Sequence, residues 1–363
     1  MSRSIGDRPL IDSPDSPALL ELCQELGERT RELDLTQAWP AEQLALCGAY
    51  GVYRWFLPQE LGGLGWTELD VTRGYLKLSA ACLTTTFVIT QRTGACQRIA
   101  AAENEELRLR LLPGLLEGTS FATVGISHLT TSRRHLARPV LEASETRDGF
   151  ILDGFSPWVT GADAAEIIVT GATLADGKQI LVALPTDLDG VSIPTPPRLV
   201  GLSASYTGEV RCQQAQVGRQ WLIAGPVENV MQQGIGARTG GLQTSTLAIG
   251  MTDAAIAYLE GEAERRADLV RPAEELRAEH RRIEADLLAM ATGVQVCSSD
   301  QLRVSANSLV LRASQAALAA AKGSGYVIGH PAGRWCREAL FFLVWSCPQG
   351  VLNANLCELA GIE

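Results

Sequence analysis

Gly323-Ser-Gly-Tyr-Val-Ile-Gly-His-Pro331-Ala-Gly-Arg-Trp-Cys-Arg337-Glu-Ala-Leu-Phe-Phe-Leu-Val-Trp345-Ser346-Cys347-Pro348 closes the last long helical pattern of the chain and carries the reading of its fold. An alanine-rich helix from Ser305 to Ala321 runs into it and stops at Gly323. Gly323 and Gly325 supply the freedom of a helix C-cap. Pro331 opens the next segment. From Arg337 the text becomes apolar and aromatic as far as Trp345.

The rest of the chain sets bounds on that segment. At 363 residues the chain is long for one core, and two or three packed domains are expected. Hydrophobic residues make up 46% and charged residues 20%, an ordinary globular balance. The net charge of −10 argues against a nucleic-acid backbone as partner. No apolar run is long enough to span a bilayer. The N-terminus, Met1-Ser-Arg-Ser-Ile-Gly-Asp-Arg, shows no signal-peptide core, so a cytoplasmic location is expected. The nine cysteines are scattered without a CxxC pair or zinc spacing, as fits small buried hydrophobes in a reducing compartment.

Helical patterning dominates both ends. Leu19, Leu22, Cys23 and Leu26, then Leu46, Ala49, Tyr50 and Tyr53, recur at helical spacing over residues 17–56. Pro58 and Leu61-Gly62-Gly63-Leu64-Gly65 break into a loop, and helical text resumes from Leu69 to Leu116. Near Ser120 the texture changes. Phe150-Ile-Leu-Asp-Gly, Ile167-Ile-Val-Thr-Gly, Ile180-Leu-Val-Ala-Leu and Gly190-Val-Ser-Ile-Pro are short β-type runs punctuated by Gly, Asp and Pro. After Gly225-Pro226 the chain turns helical again, with breakers such as Gly261 and Pro272 inside 245–290. The division is therefore 1–119 helical, 120–225 β and 226–363 helical. The charged run Glu262 to Glu284 reads as a solvated helix face.

Four places, in order, resemble the acyl-CoA dehydrogenase family. Leu57-Pro-Gln-Glu60-Leu-Gly-Gly-Leu-Gly65 is similar to its Pro-Glu-x-x-Gly-Gly-x-Gly turn. Ile151-Leu-Asp-Gly154…Trp158-Val-Thr160-Gly161 resembles the strand pair whose Trp and Thr touch the flavin. Val217-Gly-Arg-Gln-Trp-Leu-Ile-Ala-Gly225 is like the segment closing the β domain, and the C-terminal block is the fourth. The resemblance implies an α+β fold: an N-terminal α-helical domain, a β-barrel-like middle domain and a C-terminal four-helix bundle. It also implies FAD, held by Trp158 and Thr160 and met by Gly323 and Gly325 across a dimer or tetramer interface.

The departures matter as much. The family's Thr-Glu-Pro-x-x-Gly-Ser-Asp loop along the flavin is here Ile126-Ser-His-Leu-Thr-Thr-Ser132-Arg133, and only Ser132 survives. Loss of the glycine leaves less room for backbone N–H groups to cradle a pyrophosphate. Hydroxyls of Thr130, Thr131 and Ser132, with Arg133 or Arg134, are the replacements on offer. Arg265 and Arg266 fall near the place of the family's pyrophosphate arginine, of which Arg266 is taken as the cofactor contact.

Counted without a gap from Arg337, Ser346 holds the place of the family's catalytic glutamate. A serine hydroxyl is far too weakly acidic to act unaided as the base. An alternative glutamate position on an earlier helix falls on Gly240 or a neighbour. The remaining candidates are Cys347, whose thiol needs a cationic neighbour to ionise, His128 with a suitable intrinsic pKa, His330, and Glu338. Glu338 reads first as the salt-bridge partner of the neighbouring arginine.

The resemblance therefore points toward an enzyme: an FAD-dependent oxidoreductase of fatty-acid type metabolism, acting on the CH–CH group of an acyl thioester or related substrate without the usual base. An electron-transfer flavoprotein is the expected electron acceptor. Two alternatives stand beside it. One is a two-component flavin-dependent monooxygenase on the same fold, which needs no such glutamate and borrows reduced flavin from a flavin reductase. The other is a non-catalytic member. Neither nucleic acid nor membrane is expected as a partner.

Overall fold

In a computed structural model of the chain, residues 8–130, 139–232 and 241–362 are described. The N-terminal helices are α1 (Pro17–Thr36), α2 (Ala41–Ala49), α3 (Glu68–Ala81), α4 (Leu83–Ala100) and α5 (Glu105–Glu117). α1 buries Leu19, Leu22, Leu26, Thr30 and Leu33 along one stripe, as its sequence period requires. It ends where Gln37 takes a left-handed conformation at φ 55°. The helical text of 17–56 is thus two helices. α3 starts from a capping box in which Thr67 and Asp70 satisfy each other's backbone N–H.

α4 is the centre of this domain. Its sequence, rich in Thr, Val and Ile, has little intrinsic helix preference. Burial on nearly every side holds it instead. Two of its threonine hydroxyls are satisfied locally, Thr86 on Cys82 O at 2.8 Å and Thr90 on Phe87 O at 2.6 Å. Buried Arg92 clamps α4 to α5 by donating to Leu115 O, with its guanidinium 3.6 Å from the Tyr53 ring centroid.

The glycine-rich turn is structural. A Cβ at Gly63 would stand 1.9 Å from Leu57 O, so only glycine lets the two backbones meet.

The middle domain is an eight-stranded sheet. Its strands are β1 (Ala122–Gly125), β2 (Leu141–Glu145), β3 (Gly149–Thr160), β4 (Ile167–Leu174), β5 (Gln179–Pro185), β6 (Val191–Ser192), β7 (Thr207–Gly218) and β8 (Leu222–Val227). The hydrogen-bonded path runs β6-β7-β3-β2-β4-β5-β8, with β1 also on β4. β1 and β2 lie parallel to β4, and the other pairings are antiparallel. Leu141, Phe150, Leu152, Ala172, Ile180, Val182 and Val217 share one buried cluster. Five strands therefore face a common interior, the curl that makes the sheet barrel-like.

The C-terminal helices are α7 (Gln243–Ala263), α8 (Val270–Ala291), α9 (Ser299–Gly325), α10 (Pro331–Ala339), α11 (Phe341–Val344) and α12 (Gln349–Leu359). A four-residue helix, α6 (Ser127–Thr130), follows β1. Gly261 is tolerated inside α7, and Pro272 sits in the first turn of α8, where it removes no intrahelical bond. α9 kinks at Lys322 (φ 54°, ψ −145°), one residue before Gly323.

α7 and α9 pack with Leu247, Ile249, Met251, Ile256, Leu309 and Val310 in one core that also takes in Leu76 and Phe87 of the N-terminal helices. The join between the two helical domains is close. A Cβ at Gly250 would lie 2.5 Å from Leu76 O, and Ser79 Oγ donates to Leu247 O at 2.7 Å. Arg337 closes the fold by donating to both carboxylate oxygens of Asp34, at 2.6 and 2.8 Å. Among the described residues no helix is long and apolar enough to cross a membrane.

Candidate functional site

A cavity of about 730 Å³ opens where the three domains meet. α4 gives it Phe87, Thr90, Gln91, Gly94 and Arg98. β1 and α6 give Val124, Ile126, Ser127 and Thr130. Trp158 comes from β3. Ser205 and Thr207 come from the start of β7, and the α11–α12 segment gives Phe341, Val344, Trp345, Ser346 and Cys347. Most of the wall is apolar or aromatic, with hydroxyls, three glutamine amides and two arginines set into it, the usual make-up of a small-molecule site.

Trp158 is an indole on the wall with 43% of its surface exposed, unusual for so large an apolar side chain. Thr160, two residues on, points inward and is 1% exposed. Its Oγ1 lies 2.9 Å from Thr207 Oγ1, which in turn lies 2.8 Å from Ser205 Oγ. Thr207 and Ser205 reach the cavity; Thr160 stands behind them as the anchored end of a hydroxyl chain. The two lining hydroxyls were absent from the sequence reading. They sit beside Leu202 (φ 60°) and Tyr206 (φ 48°), left-handed residues that no local pattern announces.

Ser127 lines the cavity, and its Oγ is buried without a hydrogen-bond partner. The neighbouring His128 turns the other way. Its Nε2 lies 2.8 Å from Gly171 O, it is 9% exposed, and burial holds its pKa below the ordinary imidazole value. His128 is thus a neutral residue of the β-domain interior and does not line the cavity. Ser132, with Thr131, Arg133 and Arg134, lies outside the described residues, as does Gly240.

Ser346 lines the cavity in a left-handed conformation at φ 44°, just past α11. Its segment is clamped from behind by buried Arg303, which donates to Phe342 O at 3.3 Å and Trp345 O at 3.2 Å. Asn307 Nδ2 adds a bond to Phe342 O at 3.0 Å. Cys347 also faces the cavity. Burial pushes its thiol pKa up against the opposing pull of Arg303, so the thiol stays protonated near neutrality.

Glu338 lies elsewhere, in the wall of a smaller cavity of about 330 Å³ shared with Asp34, Arg334 and Arg337. Residues 199–202 and Arg337 line both cavities. The sequence pairing of Glu338 with its neighbouring arginine is corrected: Arg337 goes to Asp34, and Glu338 meets Arg334 Nε at 3.6 Å, one turn back. Thr84 Oγ1 donates to it at 3.4 Å, and burial holds its pKa above the usual carboxylate value. His330 is spent as the N-cap of α10, accepting from Ala332 N at 3.2 Å.

Three expected cofactor contacts lie away from this cavity within the chain. Arg266 donates to Ala320 O at 2.7 Å and to Asp268 at 3.3 Å, tying the end of α9 to the α7–α8 turn. Gly323 faces open space, while Gly325 packs on Leu318 and Ala321. Beyond them Tyr326, Val327 and Ile328 stand out, 87%, 63% and 60% exposed.

No Asp, Glu or His lines the large cavity among the described residues. The sequences of 131–138 and 233–240 contain no Asp or Glu either. Among the described residues no group of His, Cys, Asp and Glu is placed to hold a metal. A flat heteroaromatic ring fits the donor set that is present: an exposed indole to pack on, the unpartnered Ser127 hydroxyl, and the Thr207–Ser205 pair at the edge.

A three-domain α+β chain with this junction cavity has the acyl-CoA dehydrogenase fold. The family model "Acyl-CoA dehydrogenase, N-terminal domain" matches residues 21–119. The chain is 22% identical to the probable acyl-CoA dehydrogenase YngJ of Bacillus subtilis, over 87% of this chain and 88% of that one. Butyryl-CoA dehydrogenase from Megasphaera elsdenii superposes with a TM-score of 0.80 at 17% identity, covering 99% of this chain and 100% of that one. A glutaryl-CoA dehydrogenase from Mycobacterium smegmatis, solved in complex with FADH2, gives 0.78 at 14% identity, covering 96% of each chain. Together these likenesses show that the chain shares the fold of these dehydrogenases and resembles them in sequence along most of its length.

Proposed function

We propose that the chain is an FAD-dependent oxidoreductase that binds its flavin in the junction cavity and acts on an acyl thioester or a related substrate. The observation that carries the reading is that the exposed Trp158 indole lines one cavity of about 730 Å³ together with Ser127, Ser205 and Thr207. When bound, FAD supplies the hydride acceptor. The chain's own residues do the remaining work. Trp158 stacks, while Ser127, Ser205 and Thr207 give hydrogen bonds to ring oxygens and nitrogens. Phe87, Phe341, Trp345 and Leu352 keep water from the reacting carbon. Ser346 marks where the substrate lies and holds no proton-abstracting role.

One observation favours a second reading. Among the described residues the cavity lining carries no carboxylate, and its thiol is held protonated. Among those residues α-proton abstraction from a thioester then lacks a base. A flavin-dependent monooxygenase, fed with reduced FAD by a separate reductase, needs no such group.

The two readings separate in one experiment. The FAD-loaded protein is mixed anaerobically with acyl-CoA thioesters of varied chain length, and flavin bleaching is followed. Bleaching supports dehydrogenation, with an electron-transfer flavoprotein as acceptor. Absence of bleaching, together with substrate-dependent oxygen consumption when reduced FAD is supplied, supports the monooxygenase. Neither response leaves a binding protein that has lost the reaction. A homodimer or homotetramer in the cytoplasm, with the Gly323–Gly325 turn and the exposed Tyr326-Val-Ile328 at the subunit contact, completes the proposal.

A further inference from the structure

The smaller cavity, about 330 Å³, is a chamber of its own beside the junction cavity. Residues 199–202 and Arg337 face both and form the common wall. That wall is close-packed. A Cβ at Gly201 would stand 2.6 Å from Arg337 O, and Leu202 turns the chain at φ 60°. Ser203 Oγ pins the loop by donating to Leu199 O at 2.8 Å and accepting from Leu199 N at 2.7 Å.

Three arginines and two carboxyl groups line this chamber: Arg198, Arg334, Arg337, Asp34 and Glu338. Arg337 and Asp34 satisfy each other, at 2.6 and 2.8 Å. Arg334 has only Glu338, at 3.6 Å, and burial favours the neutral form of that carboxyl. Arg198 is exposed on the loop before Gly201 and has no ion pair or hydrogen bond among the described residues. Positive charge is therefore in excess, with two guanidinium groups on one enclosed space. Cations drawn partly out of water and short of a counter-charge favour an anion beside them. Guanidinium forks match the oxygens of a phosphate, and two of them suit a dianion better than a monocarboxylate. The volume is that of about ten water molecules in the liquid, which leaves room for more than a bare phosphate ion.

We propose that this chamber is a binding site, separate from the junction cavity, for a phosphate dianion, free or as the monoester of a small molecule, held by Arg198 and Arg334. The inference does not rest on the flavin reading.

Binding of inorganic phosphate, glycerol 3-phosphate, sulfate and acetate to the whole protein is measured by calorimetry at constant ionic strength. The titrations are repeated with saturating FAD and with saturating CoA. The variants are Arg198→Gln, Arg334→Gln, Glu338→Gln and Arg211→Gln, the last an arginine of β7 outside the chamber. Thermal melting checks that each is folded. Wild type is expected to bind phosphate and sulfate saturably, and acetate about tenfold more weakly. Tighter binding of glycerol 3-phosphate than of phosphate marks an ester as the ligand, and the reverse order marks the free ion; both support the site. Arg198→Gln weakens phosphate about tenfold, the scale of one charge-assisted hydrogen bond. Arg334→Gln does the same and serves if Arg198→Gln does not fold. Glu338→Gln keeps or tightens the affinity, and Arg211→Gln leaves it unchanged. Absence of saturable phosphate binding, acetate binding as tight as phosphate, or an affinity unmoved in the folded arginine variants of the chamber overturns the proposal. So does a loss in Arg211→Gln equal to that in Arg198→Gln, or a loss in Glu338→Gln. Displacement of phosphate by FAD or CoA overturns it too, because the chamber then belongs to the ligands of the junction cavity. A protein that binds phosphate here yet takes up no FAD leaves this inference standing and removes the flavin reading.

Discussion

Trp158 and Glu338 show how far single residues could be read from the sequence. Trp158-Val-Thr160 stood out as a motif, and the structure puts the indole on the cavity wall with the threonine one hydroxyl behind it. Alternation along a strand sends Trp158 and Thr160 to the same face, but the register shift between Ser156 and Val159 breaks that alternation. Replacing Trp158 by Ala is expected to weaken FAD binding about tenfold, the scale of one aromatic stacking contact. Because the side chain is half out in the cavity, stability should move by less than about 0.5 kcal/mol; fluorescence titration and thermal melting check the pair.

Glu338 was read as partnering its neighbour, yet helix geometry puts Arg334 and not Arg337 on its face. Its folded-state pKa is raised by burial, so the native state holds a proton that the unfolded chain has already released. The associated stability is present below the ordinary carboxylate pKa and is lost as pH rises through the raised one. Melting temperature against pH should therefore fall less steeply over that interval in Glu338→Gln than in wild type. Parallel curves would show that Glu338 is ionised in the fold.

At the scale of elements, periodicity found helices such as α1 because they bury one stripe. It ran α1 into α2 because the left-handed Gln37 has no sequence signature. β7 went unread: Gln213 and Gln214 interrupt its alternation, and Gln214 is forced to φ 53°. β1 is four buried residues without alternation, which no strand rule recognises. α11 and the turn after it depend on a partner far along the chain. Arg303, 6% exposed, holds the backbone carbonyls of Phe342 and Trp345. Arg303→Met keeps the volume and removes the donors. Leaving buried carbonyls short of partners should cost about 2–4 kcal/mol in denaturant unfolding. The variant should also raise hydrogen exchange over 342–347 while α7 stays protected.

For the whole molecule, the order helix, sheet, helix was legible because it follows from local periodicity. The site was legible only in pieces. Its walls come from residues as far apart as Phe87 and Leu352, brought together by the α3–α7 contact at Gly250 and by the Arg337–Asp34 bridge. Arg98, Ser205 and Thr207 carry no motif, and a lone histidine such as His128 drew attention that its buried place does not sustain. What the sequence could say about chemistry was an expectation drawn from resemblance, that Ser346 stands at the place of an acid; the structure places Ser346 in the cavity lining, where no Asp or Glu is found among the described residues.

The central claim is that this cavity holds a flavin. The most direct test is to titrate the purified protein with FAD, oxidised and reduced, following the visible absorption spectrum and co-elution in gel filtration. The account predicts a perturbed flavin spectrum that saturates near one FAD per chain and co-elutes with the protein, weakened in Trp158→Ala. An unperturbed spectrum and free elution of FAD in both redox states would contradict it.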